Sequence, residues 1–151
     1  MGAVVAQLPG RRFACLTCIV MTASHFLAPG LADGAACRIT IDRNNTVLAE
    51  HLEIAATPRA RRRGLLGRDQ LPSGHGLAIA PCQAVHTWSM RFAIDVIALD
   101  RQGRVLKFWS GVTARRVRVC WSAFAIIELP AGAIVASGLA RGDRLSLTRT
   151  V

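Results

Sequence analysis

Residues 94–109 read IDVIALDRQGRVLKFW, and this stretch decides the fold. Ile94, Val96 and Ala98 alternate with Asp95, Ile97 and Leu99, so both faces of an extended segment are largely apolar. A strand that is apolar on both faces belongs inside a sheet, covered above and below. Arg101-Gln102-Gly103 supplies turn chemistry, and Arg104 to Trp109 returns as a second strand. The unit is a β-hairpin with its first strand buried.

On the C-terminal side, Phe124 to Leu129 is another apolar strand, closed by Pro130. Gly132 to Leu139 suits one short helix, and Arg141-Gly142-Asp143 turns into a last strand, Arg144 to Thr150. On the N-terminal side, Cys37 to Ile41 alternates into a strand, Asp42-Arg43-Asn44-Asn45 turns, and Val47 to Ala55 returns. Thr57-Pro58 starts a helix, with Thr as N-cap and Pro at the first helical position, where its missing N–H costs nothing. That helix is expected to reach about Arg68, with Leu65 and Leu66 inward, before Pro72, Gly74 and Gly76 force a loop. Six or seven short strands with one or two short helices predict the α+β class, as a small antiparallel, barrel-like β domain.

The 151 residues bound one compact domain with a short appendage. At 52% hydrophobic and 19% charged, the chain is too apolar to be disordered. Nineteen Lys+Arg against nine Asp+Glu give a net charge of +10, and Lys107 is the only lysine. Residues 1–36 differ in composition from the rest: Arg11 and Arg12 precede an uncharged run from Phe13 to Ala32, with its most apolar part at Phe13 to Ala23. Small residues then cluster at Gly30-Leu31-Ala32 and Gly34-Ala35-Ala36, either of which suits a cleavage point. The pattern is that of an export signal, or of an N-terminal anchor if uncleaved, and 37–151 is the single globular domain. Export places the protein in the periplasm or outside the cell, where thiols can oxidise. The Cys15-Leu16-Thr17-Cys18 spacing falls in this leader and carries no redox or metal meaning.

Four blocks stand in order along the domain: TPRARRRGLLGR at Thr57 to Arg68, HTWSMRFAID at His86 to Asp95, ELPAG at Glu128 to Gly132, and Gly142-Asp143. Together they resemble the bacterial and archaeal family known as domain of unknown function 192, over roughly residues 50–148. The residues that match its motifs are Arg61, Gly64, Arg68, His86, Thr87, Met90, Asp95, Glu128, Gly132, Gly142 and Asp143. Ala93 stands where that family usually has Pro, and Ser110 to Val119 lacks a Pro-rich stretch often found there. The resemblance implies a small barrel-like α+β fold and brings no established activity with it.

Three sets of residues carry chemistry. Arg59, Arg61, Arg62, Arg63 and Arg68 crowd one short helix, and Arg115, Arg116 and Arg118 lie in a later loop. They read first as a solvated face, then as a contact for an envelope protein or an anionic surface. Nucleic acid is not the expected partner, because Trp88, Trp109 and Trp121 are not interleaved with the basic runs. Asp95 and Glu128 sit in apolar strands, so each should be paired, with Arg61 for example, or hydrogen-bonded. Brought into one pocket with His86, the same carboxyls would be the weak catalytic candidates, split in pKa to act as acid and base.

His86 and Met90 would suit copper, and Cys82, His86 and Cys120 would suit zinc with a fourth ligand. The first expectation is no cofactor. The family resemblance places the segments flanking Cys82 and Cys120 in one core, which makes these two the expected disulfide and leaves Cys37 free at a frayed terminus. No P-loop, nucleophile elbow, dinucleotide fingerprint or zincin motif occurs after the leader. With no complete catalytic set legible, the reading is a non-catalytic binding or accessory protein of the cell envelope. Its alternative is a metal-binding protein or hydrolase-like enzyme using His86, Asp95 and Glu128.

Overall fold

The computed structural model describes residues 26–27 and 32–150. Residues 1–25 and 28–31 of the expected export segment therefore lie outside the described residues. The described chain is mostly β, with nine strands and two short helices. In order these are β1 (Ala36–Ile41), β2 (Thr46–Ala55), α1 (Pro58–Arg63), β3 (His75–Ile79), β4 (Ala84–His86), β5 (Ile94–Leu99), β6 (Val105–Val112), β7 (Val117–Val119), β8 (Ala125–Pro130), α2 (Ala133–Ser137) and β9 (Leu145–Arg149). Among the described residues no helix is long and apolar enough to cross a membrane.

Seven strands form one sheet in the order β6-β5-β8-β3-β2-β1-β9, and β4 and β7 form a separate ribbon. The sheet curls until its edge strands meet at an isolated antiparallel bridge between Arg104 and Arg144. Val105 N–H donates to the Asp143 carbonyl (2.8 Å) and Leu145 N–H to the Gly103 carbonyl (2.9 Å), which seals that seam. Gly103 permits the approach: its φ is +78°, and a Cβ there would stand 2.7 Å from the Leu145 carbonyl oxygen and 2.7 Å from the Phe26 ring. Phe26 is buried in the same cluster, and its N–H donates to the Arg101 carbonyl (2.6 Å).

β5 is buried at every residue, as its two apolar faces require. One face (Ile97, Leu99) packs with Ile127, Leu129, Leu52 and the strand β1. The other face (Ile94, Val96) packs with Leu77, Ile126, Val85 and Met90, beneath α1.

Several expectations are corrected. The sheet is not wholly antiparallel: β2 and β3 run parallel, with α1 as their crossover. The strands number nine because β3, β4 and β7 join those expected. Gly76 lies inside β3 rather than in a loop, since a Cβ there would come 2.8 Å from Leu129 Cδ2 and 2.9 Å from Leu52 Cδ1. α1 stops at Arg63 rather than Arg68, because Gly64 takes φ 47° and ψ −130°, outside helical space. Consequently Leu65 is buried while Leu66 is exposed. Cys37 is not frayed: β1 is paired on both sides and Cys37 is buried in the core.

The boundary drawn at residue 36 also cuts through packed structure. Ala36 belongs to β1, and Asp33 accepts hydrogen bonds from the Ala56 N–H (2.7 Å), the Thr57 N–H (2.9 Å) and the Thr57 hydroxyl. The Thr57 hydroxyl in turn accepts from Ala60 N–H (3.2 Å), so Asp33 braces the N-cap of α1.

Candidate functional site

The direct β8–β5 register pairs Glu128 with Val96 and Asp95 with Leu129. Neighbouring residues of a strand project to opposite faces, so the two carboxylates emerge on opposite sides of the sheet. Asp95 faces α2. Its carboxylate accepts hydrogen bonds from the backbone N–H groups of Gly111 (2.8 Å), Gly132 (3.1 Å) and Ile134 (2.8 Å). Gly132, the N-cap of α2, has no side chain to satisfy the first helical N–H groups, and Asp95 does so from β5. Asp95 is therefore held by backbone N–H groups, the second of the two expected arrangements, rather than by Arg61.

Glu128 lies on the other face, 3% exposed, and among the described residues its Oε2 has no hydrogen-bond partner. Burial pushes its pKa from 4.5 up to about 7, opposed only in part by the nearby charge of Arg68. The expected ion pair is absent because both arginines act elsewhere. Arg61 donates to the Ala56 carbonyl (2.6 Å), and Arg68 forms a bidentate pair with Glu53 (2.9 and 2.7 Å).

Glu128 opens into a cleft of about 410 Å³ beneath α1. Arg61, Arg62 and Arg63 border it, Leu65, Ile79, Val85 and Met90 give apolar wall, and Cys82 and His86 complete the lining. Of the three catalytic candidates, His86 and Glu128 thus share one cleft and Asp95 is excluded from it. A second, shallower cavity of about 510 Å³ adjoins at His86, Trp88 and Val117. The His86 ring meets Trp88 edge-on at 5.9 Å.

The other motif residues hold loops. Thr87, 1% exposed, donates to the Thr113 carbonyl (2.7 Å) and accepts from Arg116 N–H (2.9 Å), which pins its hydroxyl away from nucleophilic duty. Asp143 takes Arg43 at 2.9 and 3.1 Å and Ala140 N–H at 2.9 Å, and the Arg43 bond holds its carboxyl below the usual range. Gly142 beside it adopts φ 89° at the turn into β9.

Cys82 and Cys120 are free thiols, not a disulfide. Backbone bonds bring their loops together, with Cys120 N–H donating to the Gln83 carbonyl (2.8 Å). The sulfurs nevertheless engage their own turns: Cys82 Sγ lies 3.1 Å from the Ala84 carbonyl oxygen and Cys120 Sγ 3.6 Å from Ser122 Oγ. Burial raises the Cys82 thiol pKa. Among the described residues no three His, Cys, Asp or Glu gather as a metal site, so the Cys82–His86–Cys120 set is not assembled. His86 and Met90 both border the cleft, without further such ligands gathered beside them.

The sequence singled out Glu128 and His86, and Leu65 as an inward residue, but missed the walls given by Ile79 and Val85. Their signal was slight: Ile79 and Val85 lie in strands of five and three residues whose packing is fixed by tertiary contacts.

The curled β-sheet with its two short helices places the chain among small, mostly β, barrel-like domains. The chain belongs to the domain of unknown function 192 family, described as "Uncharacterized ACR", whose model matches residues 39–147. The fold is shared with a candidate transcription regulator from Sinorhizobium meliloti 1021, at 19% identity and a TM-score of 0.64, covering 75% of this chain and 92% of that one. It is also shared with a protein of unknown function from Novosphingobium aromaticivorans DSM 12444, at 17% identity and a TM-score of 0.65, covering 83% and 94%. No curated protein matches the chain.

Proposed function

We propose that this chain is an exported accessory domain of the cell envelope that binds a small ligand in the cleft beneath α1 and does not turn it over. The observation that carries the reading is Glu128: among the described residues, a buried carboxyl with an unpartnered oxygen, facing a cleft that no second carboxylate lines. Acid–base chemistry by paired carboxyls needs both in one site. A cleft of this size, apolar with a few convergent polar groups, suits a small molecule. The Arg-apolar-small pattern of residues 11–36 supports export.

A second reading keeps the enzyme. His86 and Glu128 share the cleft, and a carboxyl with pKa near 7 suits general acid–base work. Thr87 is not its nucleophile, since that hydroxyl is tied to Thr113 and Arg116; the thiol in the cleft is Cys82, which burial holds towards the neutral, less nucleophilic form.

The full chain with a C-terminal tag, expressed in a bacterial host and fractionated by osmotic shock, tests location; native mass spectrometry of the product tests ligand binding. Recovery in the shock fluid with a bound small molecule is expected. A cytosolic product starting at Met1 overturns export, and steady turnover of an ester or phosphoester panel that is lost in Glu128→Gln overturns the non-catalytic reading.

A further inference from the structure

We propose that the cleft takes a small organic oxyanion with an apolar body, whose charge Arg62 and Arg63 meet at the mouth while one oxygen accepts a hydrogen bond from the Glu128 carboxyl. The inference rests on the binding reading above and names its ligand class.

Three observations point to that class. First, α1 carries Arg59, Arg61, Arg62 and Arg63 with no acidic residue in its first turn, and among the described residues none of these arginines has an ion-pair partner. Arg61 is committed to the Ala56 carbonyl, whereas Arg62 and Arg63 are exposed at the cleft border. Guanidinium groups match the planar geometry of a carboxylate or the oxygens of a phosphate. Second, Leu65, Ile79, Val85 and Met90 present apolar wall within the same cleft, which gives a place for a hydrocarbon or aromatic body. Third, Glu128 Oε2 is buried and unpartnered inside it. The Cys82 thiol feels the charge of both Glu128 and Arg61, so carboxyl and arginine end act on one small region.

A buried carboxylate would repel an anion, so its protonation decides. The titratable and charged groups around it are Arg68 of the turn after α1 (already paired with Glu53) and Cys82, which share its field, and Arg61, Arg62 and Arg63 of α1 and His86 of β4, which line the same cleft. Asp95 of β5 lies behind the sheet. Desolvation outweighs the charge of Arg68 and raises Glu128 to about 7, so near neutrality much of it is the acid, a hydrogen-bond donor. An anion stabilises that form further. Binding takes up a proton, and affinity rises as pH falls through neutrality.

The test uses benzoate, which stays ionised across this range, with benzamide and benzylamine as neutral and cationic counterparts. Methyl resonances of Met90, Val85 and Leu65 are followed by NMR at about pH 6 and about pH 8. Benzoate is expected to shift them and to bind about tenfold more tightly at the lower pH. Glu128→Gln should flatten that dependence, His86→Gln should keep it, and Arg62→Ser with Arg63→Ser should weaken binding at both pH values. Equal benzoate affinity at the two pH values, or a slope that persists in Glu128→Gln, overturns the role of the carboxyl. Tighter binding of benzamide or benzylamine overturns the oxyanion class and leaves the binding reading standing. Resonances that move with none of the three probes overturn both.

Discussion

Asp95 and Glu128 sit one register step apart on adjacent strands yet face opposite sides of the sheet, because Val96 is the direct partner of Glu128 and Leu129 that of Asp95. One carboxylate is enclosed by three backbone donors; the other has a buried oxygen with none. Their substitution should therefore have opposite consequences.

Asp95→Ala leaves the N–H groups of Gly111, Gly132 and Ile134 without their acceptor. Ile134 is buried, and its orphaned N–H costs about 1–3 kcal/mol, whereas Gly111 and Gly132 are exposed and water replaces part of what they lose, so a loss of about 1–3 kcal/mol is expected. Urea unfolding checks this. An unchanged midpoint would show that α2 is capped without Asp95.

Glu128→Gln should stabilise the protein at alkaline pH and change little in acid. The folded-state pKa is raised from 4.5 to about 7, so the folded state holds a proton that the unfolded state has released between those values. Stability from this group is intact below about pH 4.5 and falls as pH rises to about 7, by up to about 3 kcal/mol. Unfolding midpoints of the two proteins at about pH 5 and about pH 8 should converge at the first and separate at the second, with Gln the more stable. This reverses the expectation of a paired, stabilising carboxylate. A less stable Gln variant at the alkaline point would restore it.

The thiols offer a chemical check. Cys37 is 1% exposed, while Cys82 and Cys120 are partly accessible. In protein kept free of reductant, iodoacetamide should label Cys37 slowest, and all three should label once the chain unfolds. A mass two daltons low on peptides carrying Cys82 and Cys120 would establish the bridge that the free sulfurs lack.

Processing after Ala32 would keep Asp33, and with it the brace on Thr57, whereas processing after Ala36 would remove Asp33 and the first residue of β1. If the chain is processed as proposed, N-terminal sequencing of the protein recovered by osmotic shock is expected to begin at Asp33 or earlier. A start at Cys37 would mean that α1 holds its cap unaided.

What the sequence disclosed followed local rules. The 94–109 hairpin stood out through two-faced apolar alternation, and α1 through Thr57-Pro58, since strand period and capping are written in adjacent residues. β3 did not, because Gly76 looks like a breaker until Leu52 and Leu129 are seen to occupy its side-chain space. β4 and β7 are three residues each, too short to show a period. Glu128 and His86 were legible as residues but not as companions. Their common cleft, and the exclusion of Asp95 from it, depend on strand register and on a parallel crossover, which no single segment encodes.

The helix that roofs the cleft is fastened at both ends. Asp33 ties its start to the chain entering β1, and Arg68, just beyond its end, grips Glu53 of β2 with two hydrogen bonds. Hydrogen bonding from Thr57 holds Asp33, and hydrogen bonding from Arg68 holds Glu53, below the usual carboxylate range, so both fastenings are complete near neutrality and loosen only as pH falls through those lowered values. The roof is thus a bolted strap rather than a door: a ligand of the proposed kind would meet a chamber whose shape is already set, would be selected by size and outline, and would have little ordering to oppose its arrival.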